Sequence, residues 1–145
     1  MAKKLKTELD SGNREDTQRK YMEFQMIQQN MAQMKEQLTM IEQQIEEMSA
    51  AEESISELAN INEDTEMVVP IGSGVFVKTK VKGSNEFIIN VGANVAVAKT
   101  DAEAKKIINE QIEEVKKVQK QINQNILVLN ERAQAIQQEL SHLLG

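Results

Sequence analysis

Cysteine and tryptophan are absent from this chain, proline occurs once, and the aromatic residues are three phenylalanines and one tyrosine. Each shortage excludes something. Without cysteine there can be neither a disulfide framework nor a thiolate metal site, which is compatible with a reducing interior. A length of 145 residues fits one domain, but with 3% aromatic and 28% charged residues a spherical core is undersupplied. Methionine, glutamine and glutamate stand where Phe, Trp and Leu usually do, a bias that suits long helices meeting along a seam. The net charge of −6, with no Lys/Arg stripe, argues against nucleic acid, where phosphate neutralisation dominates affinity. The opening MAKKLKTELDSGNRED has no apolar signal region, and no apolar run reaches transmembrane length, so no membrane partner and a soluble, cytoplasmic protein are expected.

What is present is periodic. From Thr17 the residues Phe24, Ile27, Met31, Met34, Leu38, Ile41, Ile45 and Met48 step alternately by three and four, the a/d seam of a coiled coil. Glu52 interrupts it, Ile55 restores it, and Leu58 and Ile61 imply a register change as the helix ends. A second seam runs through Ile108, Ile112, Val115, Gln119, Ile122, Ile126, Leu129, Ala133, Ile136, Leu140 and Leu143. Its start carries the capping-box form Thr100-Asp-Ala-Glu103. Phe24 to Ala59 and Ile108 to Leu143 match in length, so the spacing predicts an antiparallel helical hairpin of about 54 Å at 1.5 Å per residue. Residues 1–16 lack periodicity and read as a disordered tail, followed by a helix within 17–64 and a second helix over 101–145.

Between the helices, residues 65–100 alternate apolar and polar side chains. Strands are predicted over Met67–Ile71, Val75–Val81, Phe87–Val91 and Val95–Lys99, with turns at Gly72-Ser-Gly74, Lys82-Gly-Ser-Asn85 and Gly92-Ala-Asn94. This makes two consecutive hairpins at the end where the helices connect, in a chain that is mainly α with a small β part. Pro70 suits an edge or bulge, where no ladder amide is needed.

A lone two-stranded hairpin is marginal in water, and the two helices spend their apolar stripes on each other. Either the hairpins pack on one another and merely join the helices, or several copies or related subunits pool them into a sheet or barrel. The second solution makes assembly residues of Val68, Val69, Ile71, Val75, Phe76, Val77, Phe87, Ile88, Ile89, Val91, Val95 and Val97.

The blocks Glu66-Met-Val-Val-Pro-Ile-Gly-Ser-Gly-Val-Phe-Val and Ile89-Asn-Val-Gly-Ala-Asn-Val-Ala-Val97, set between two coiled-coil helices, resemble the α class of prefoldin subunits. The likeness extends over nearly the whole chain from residue 20. Two hairpins instead of one mark the α class off from the β class. The resemblance implies a hexamer of two α and four β-type subunits with hairpins pooled in a β-barrel platform and coiled coils projecting from it. It further implies an ATP-independent holdase that binds non-native proteins and delivers them to a group II chaperonin. A coiled-coil scaffold, spacer or filament-forming protein without client binding is the alternative.

Chemistry-bearing residues are sparse. His142 is the single histidine and has no second ligand or nucleophile beside it in sequence, so a solvated helix-end residue accounts for it. Glu42, Glu46, Glu47, Glu52 and Glu53 read as a solvated helix face. Gly72-Ser-Gly74 lacks the Gly-Lys-Ser/Thr and helix start of a phosphate loop. No enzyme, cofactor or metal site is expected. Met31, Met34 and Met48 fall on the seam as core filler, whereas Met22 and Met26 fall off it. With Tyr21, Phe24, Ile27 and Met31 from the first helix and Ile136, Leu140, Leu143 and Leu144 from the second, they compose an apolar tip at the open end of the helical hairpin. Such a tip is either a client site or a frayed end.

Overall fold

The computed structural model of the chain describes the backbone of residues 2–82 and 86–144 and the side chains of residues 3, 12–82 and 86–143. The elements, in order, are helix α1 (Ala2–Ala59), strands β1 (Glu66–Gly72), β2 (Val75–Lys80), β3 (Glu86–Gly92) and β4 (Val95–Thr100), and helix α2 (Asp101–Leu144). They form two compact units, one built from α1 up to Gln43 with α2 from Lys116, the other from Gln44–Val115.

In the first unit the sequence seam is the packing seam. Ile27, Ala133 and Ile136 are buried, and Phe24, Met31, Leu129 and Leu140 pack on them, half-buried. The remaining a/d positions of the unit, from Met34 and Leu38 to Gln119, Ile122 and Ile126, are half-buried as well, save Leu143, which is exposed. Removing such side chains from water contributes about 1.5–3 kcal/mol each where burial is complete, as for Ile136 at 0% exposure.

Helix α1 begins at Ala2, so the backbone of 2–16 is helical where the sequence reading expects a disordered tail. The segment contains no proline and is rich in Lys, Glu and Leu, all good helix formers; its one glycine, Gly12, costs only about 1 kcal/mol. At the other end α1 stops at Ala59 rather than near residue 64, through the tighter bonds Asn60 N–H to Glu57 O (3.2 Å) and Ile61 N–H to Leu58 O (3.3 Å).

In the second unit, Ile55, Ala104, Ile108 and Ile112 are buried, with Ile45, Met48, Phe87 and Ile89 packed against them. The capping box forms: Glu103 N–H donates to Thr100 Oγ1 and Thr100 N–H donates to Glu103 Oε2, both at 3.3 Å. Strands pair β1 with β2 and β3 with β4, both antiparallel. Val81 N–H to Thr65 O (2.9 Å) and Asp64 N–H to Val81 O (3.0 Å) extend the first ladder past Lys80. The expected turn at Lys82–Asn85 falls largely on residues 83–85, outside the described residues.

The hairpins are copies of one design at an offset of 20 residues. Glu66 pairs with Lys80 and Val69 with Val77 in the first; Glu86 pairs with Thr100 and Ile89 with Val97 in the second. Each register shifts at the same place, between Pro70 and Gly72 and between Asn90 and Gly92. Each turn then runs through three positive φ angles: Gly72, Ser73 and Gly74, and Gly92, Ala93 and Asn94. At the repeat position that Pro70 stiffens, Asn90 instead accepts the Gly92 amide on Oδ1 at 2.9 Å.

One expectation needs correction. The strands do not all lack a helical surface of their own chain, because Phe87 and Ile89 of β3 lie on the Ile55–Ala104–Ile108–Ile112 cluster. Strand β4 ends at Thr100 and α2 starts at Asp101, so no linker separates the second hairpin from the helix it covers.

Candidate functional site

Two apolar surfaces stand out, one in each unit. In the second unit the exposed large apolar side chains lie on the hairpins. Val68, Ile71, Val75 and Phe76 are open on the first; Ile88, at 78% exposure, and Val91 and Val95 are open on the second. Val69 and Val77, paired across the first hairpin, are exposed too. Phe87, Ile89 and Val97 differ: they share the half-buried face of the second hairpin. The twelve residues grouped from the sequence as assembly contacts therefore divide into nine exposed ones and three on the inward face.

In the first unit the ten residues grouped as an apolar tip divide as well. Ile27 and Ile136, at 6% and 0% exposure, are interior, and Phe24, Met31 and Leu140 are packed on them. These are corrected from surface contacts to the core that joins the helices. Tyr21, Met22, Met26 and Leu143 are exposed, Met22 to 64%. The side chain of Leu144 lies outside the described residues. A cavity of ≈ 550 Å³ opens between Thr17, Gln18, Tyr21, Met22 and Leu140. A second, of ≈ 490 Å³, is lined by Phe24, Gln28, Met31, Asn130, Ala133 and Gln137, among others.

Charge ties the same two helices. Lys20 Nζ lies 3.2 Å from Glu139 Oε2 and 3.3 Å from Asp16 Oδ2. Arg132 grips Glu23 with two donors, Nε at 2.9 Å and a terminal nitrogen at 3.3 Å. The hydrogen bond to Glu139 holds the Lys20 ammonium above its ordinary pKa, with Asp16 adding to it. A raised lysine contributes its stabilisation below the ordinary value and loses it only as pH climbs through the raised one, so this contact persists throughout the neutral range. Both pairs are exposed enough to be worth little energetically, and their effect is on where the helices are tied.

Sequence reasoning misses four exposed apolar residues, Met40, Val118, Leu127 and Val128. All lie off the heptad seam; Leu127 and Val128 are hidden in the apolar run Ile126–Leu129, and scoring each residue against the seam register would have separated them. It also misses both cross-helix ion pairs, which no single helix pattern contains. Among the described residues, no cluster of three His, Cys, Asp or Glu could hold a metal ion, and no helix is long and apolar enough to cross a membrane. His142 is exposed.

Comparison with known proteins places this geometry. The family description "Prefoldin subunit" matches residues 4–145. A prefoldin subunit alpha of Pyrobaculum calidifontis is 32% identical over 131 residues, covering 90% of this chain and 96% of the relative. That of Methanoculleus marisnigri is 33% identical, over 74% of this chain and 71% of its own. Among solved structures, a chain from the filamentous prefoldin of Methanocaldococcus jannaschii superposes with a TM-score of 0.74 at 18% identity, covering 82% of this chain and 98% of that one. The fold is shared.

Proposed function

From membership of the prefoldin family, to which this chain belongs, we propose that it is the α-class subunit of an ATP-independent holdase. In this reading it assembles with β-type prefoldin subunits, two α to four β, and pools its hairpins with theirs in a β-barrel platform. The coiled-coil ends bind non-native proteins and pass them to a group II chaperonin in the cytoplasm. The observation that carries the reading is the exposed apolar outer faces of two otherwise well-formed hairpins, with Ile88 at 78% exposure. Contiguous apolar surface of this kind on an edge-bearing ribbon calls for a partner strand or sheet.

Capture needs no chemistry. Met22 is a flexible, polarisable side chain that repacks around differing shapes, so it binds without strong sequence preference. Several weak tips acting on one client multiply their affinities without new contacts. The test is to mix the reconstituted assembly with a chemically unfolded protein and follow light scattering. A holdase delays aggregation; an unchanged trace contradicts the reading.

A filament-forming scaffold is the second reading, favoured by the filamentous assembly of the Methanocaldococcus jannaschii neighbour. Negative-stain microscopy of the chain alone separates the two, because a scaffold forms filaments and leaves client aggregation untouched.

A further inference from the structure

We propose that the helix pair of the first unit is a one-sided clamp: charge ties one flank, and the opposite flank receives uncharged, apolar stretches of an unfolded polypeptide. This rests on the holdase reading and assigns its contact surface to one flank.

Helical geometry separates the two sides. At about 100° per residue, Asp16, Lys20 and Glu23 fall on one side of the seam, while Thr17, Gln18, Tyr21 and Met22 fall on the other. On α2, Arg132 and Glu139 sit one heptad apart and meet the first group, in the pairs Arg132–Glu23 and Lys20–Glu139. Asn130, Gln134 and Gln137 fall on the opposite side and line the ≈ 490 Å³ cavity. The ≈ 550 Å³ cavity between Tyr21, Met22 and Leu140 opens on that same side. The pairing of charge and the pairing of cavities thus lie on different flanks of the same two helices.

The chemistry of the open flank points to its occupant. Charged residues make up 28% of the chain, yet Gln18, Gln28, Asn130, Gln134 and Gln137 on this flank are neutral amides, and Lys35 is the lone charge among the cavity-lining residues. A primary amide carries both donors and acceptors. An unfolded segment offers unpaired backbone N–H and C=O groups as well as apolar side chains, and this flank can meet both at once. A folded helix or sheet, its backbone already paired, could use only the apolar part. The flank therefore discriminates for lack of structure, and it offers a charged client side chain no carboxylate and only Lys35 as a partner.

Because the chain has no cysteine, single introduced thiols report single places. An environment-sensitive fluorophore on Gln18→Cys or Met22→Cys is compared with the same label on Asp16→Cys, where Lys20 keeps its Glu139 partner. Reduced, carboxymethylated lactalbumin, which stays unfolded, is the probe. The expected result is a blue shift at positions 18 and 22, several-fold smaller at 16. In parallel, Gln134→Glu combined with Gln137→Glu should weaken lactalbumin capture several-fold while the thermal midpoint stays put. Equal shifts on both flanks, or a larger one at position 16, overturn the sided clamp even if the unlabelled assembly still delays aggregation. If the sided shift is seen but aggregation is not delayed, the clamp stands and the holdase reading fails.

Discussion

Position for position, Glu66–Lys80 and Glu86–Thr100 fold alike, with the same register, the same shift before the turn glycine and the same run of positive φ. Yet Phe87 and Ile89 are packed on helical side chains, while their counterparts, half-buried Met67 and exposed Val69, are not part of that cluster. The hairpin pattern is the same; the tether is not. Strand β4 passes into α2 without a linker, whereas residues 60–65 separate α1 from β1. Strand β4 is fused to α2 and carries its partner β3 beside the start of that helix, where Ala104, at 0% exposure, belongs to the cluster on which Phe87 packs. Backbone pairing is therefore set by turn and strand chemistry, and packing on the helical cluster by covalent connection.

That contrast can be broken most forcefully at Phe87. Phe87→Ala should cost about 2–4 kcal/mol, below the upper range for a fully interior Phe because the ring is half-buried. The counterpart Met67→Ala, half-buried but outside that cluster, should cost about 1 kcal/mol in the isolated chain, and urea denaturation of both reads the difference. Equal losses would erase the distinction.

The shared backbone gives the opposite expectation. Gly72, at φ 122°, and Gly92, at φ 116°, meet nothing within 4 Å where a Cβ would stand, so strain alone opposes alanine. Gly72→Ala and Gly92→Ala should each lose about 1–3 kcal/mol of local stability. Amide exchange of each hairpin measures this, and a marked inequality would show that the turns are not equivalent.

A smaller effect belongs to the tether. Thr100→Ala removes the hydroxyl that accepts the Glu103 amide and should cost about 1 kcal/mol, loosening the start of α2 and protection of β4 more than of β2. Comparative hydrogen exchange of the two hairpins checks it. The smallest change in stability is expected at the outer faces: Ile88→Lys and Val68→Lys should move the isolated chain by less than about 0.5 kcal/mol. Their effect should appear instead as lost assembly in native mass measurements.

Much of this architecture is legible in the sequence because its signals are local. A step of three and four places Ile27, Ile108, Ile112 and Ile136 in the seam without reference to anything distant, and Gly72 and Gly92 mark turns through their own φ. What is not legible is relational. The repeat makes both hairpins look equally uncovered, and only the missing linker at Thr100–Asp101 tells them apart. The tip shows the same limit: Met22 and Ile27 are both apolar and five residues apart, but one is on the surface and the other holds the helices together. The pairs Lys20–Glu139 and Arg132–Glu23 depend on the alignment of two segments more than a hundred residues apart, which neither seam states alone.

The central claim is that the open hairpin faces are subunit interfaces. Native mass spectrometry of the purified chain, alone and then with a β-type prefoldin subunit, tests it most directly. The account predicts a discrete hetero-oligomer with the partner, and its loss when Ile88 and Val68 are changed to lysine. A chain that stays monomeric in both samples, with unaltered stability, would contradict it.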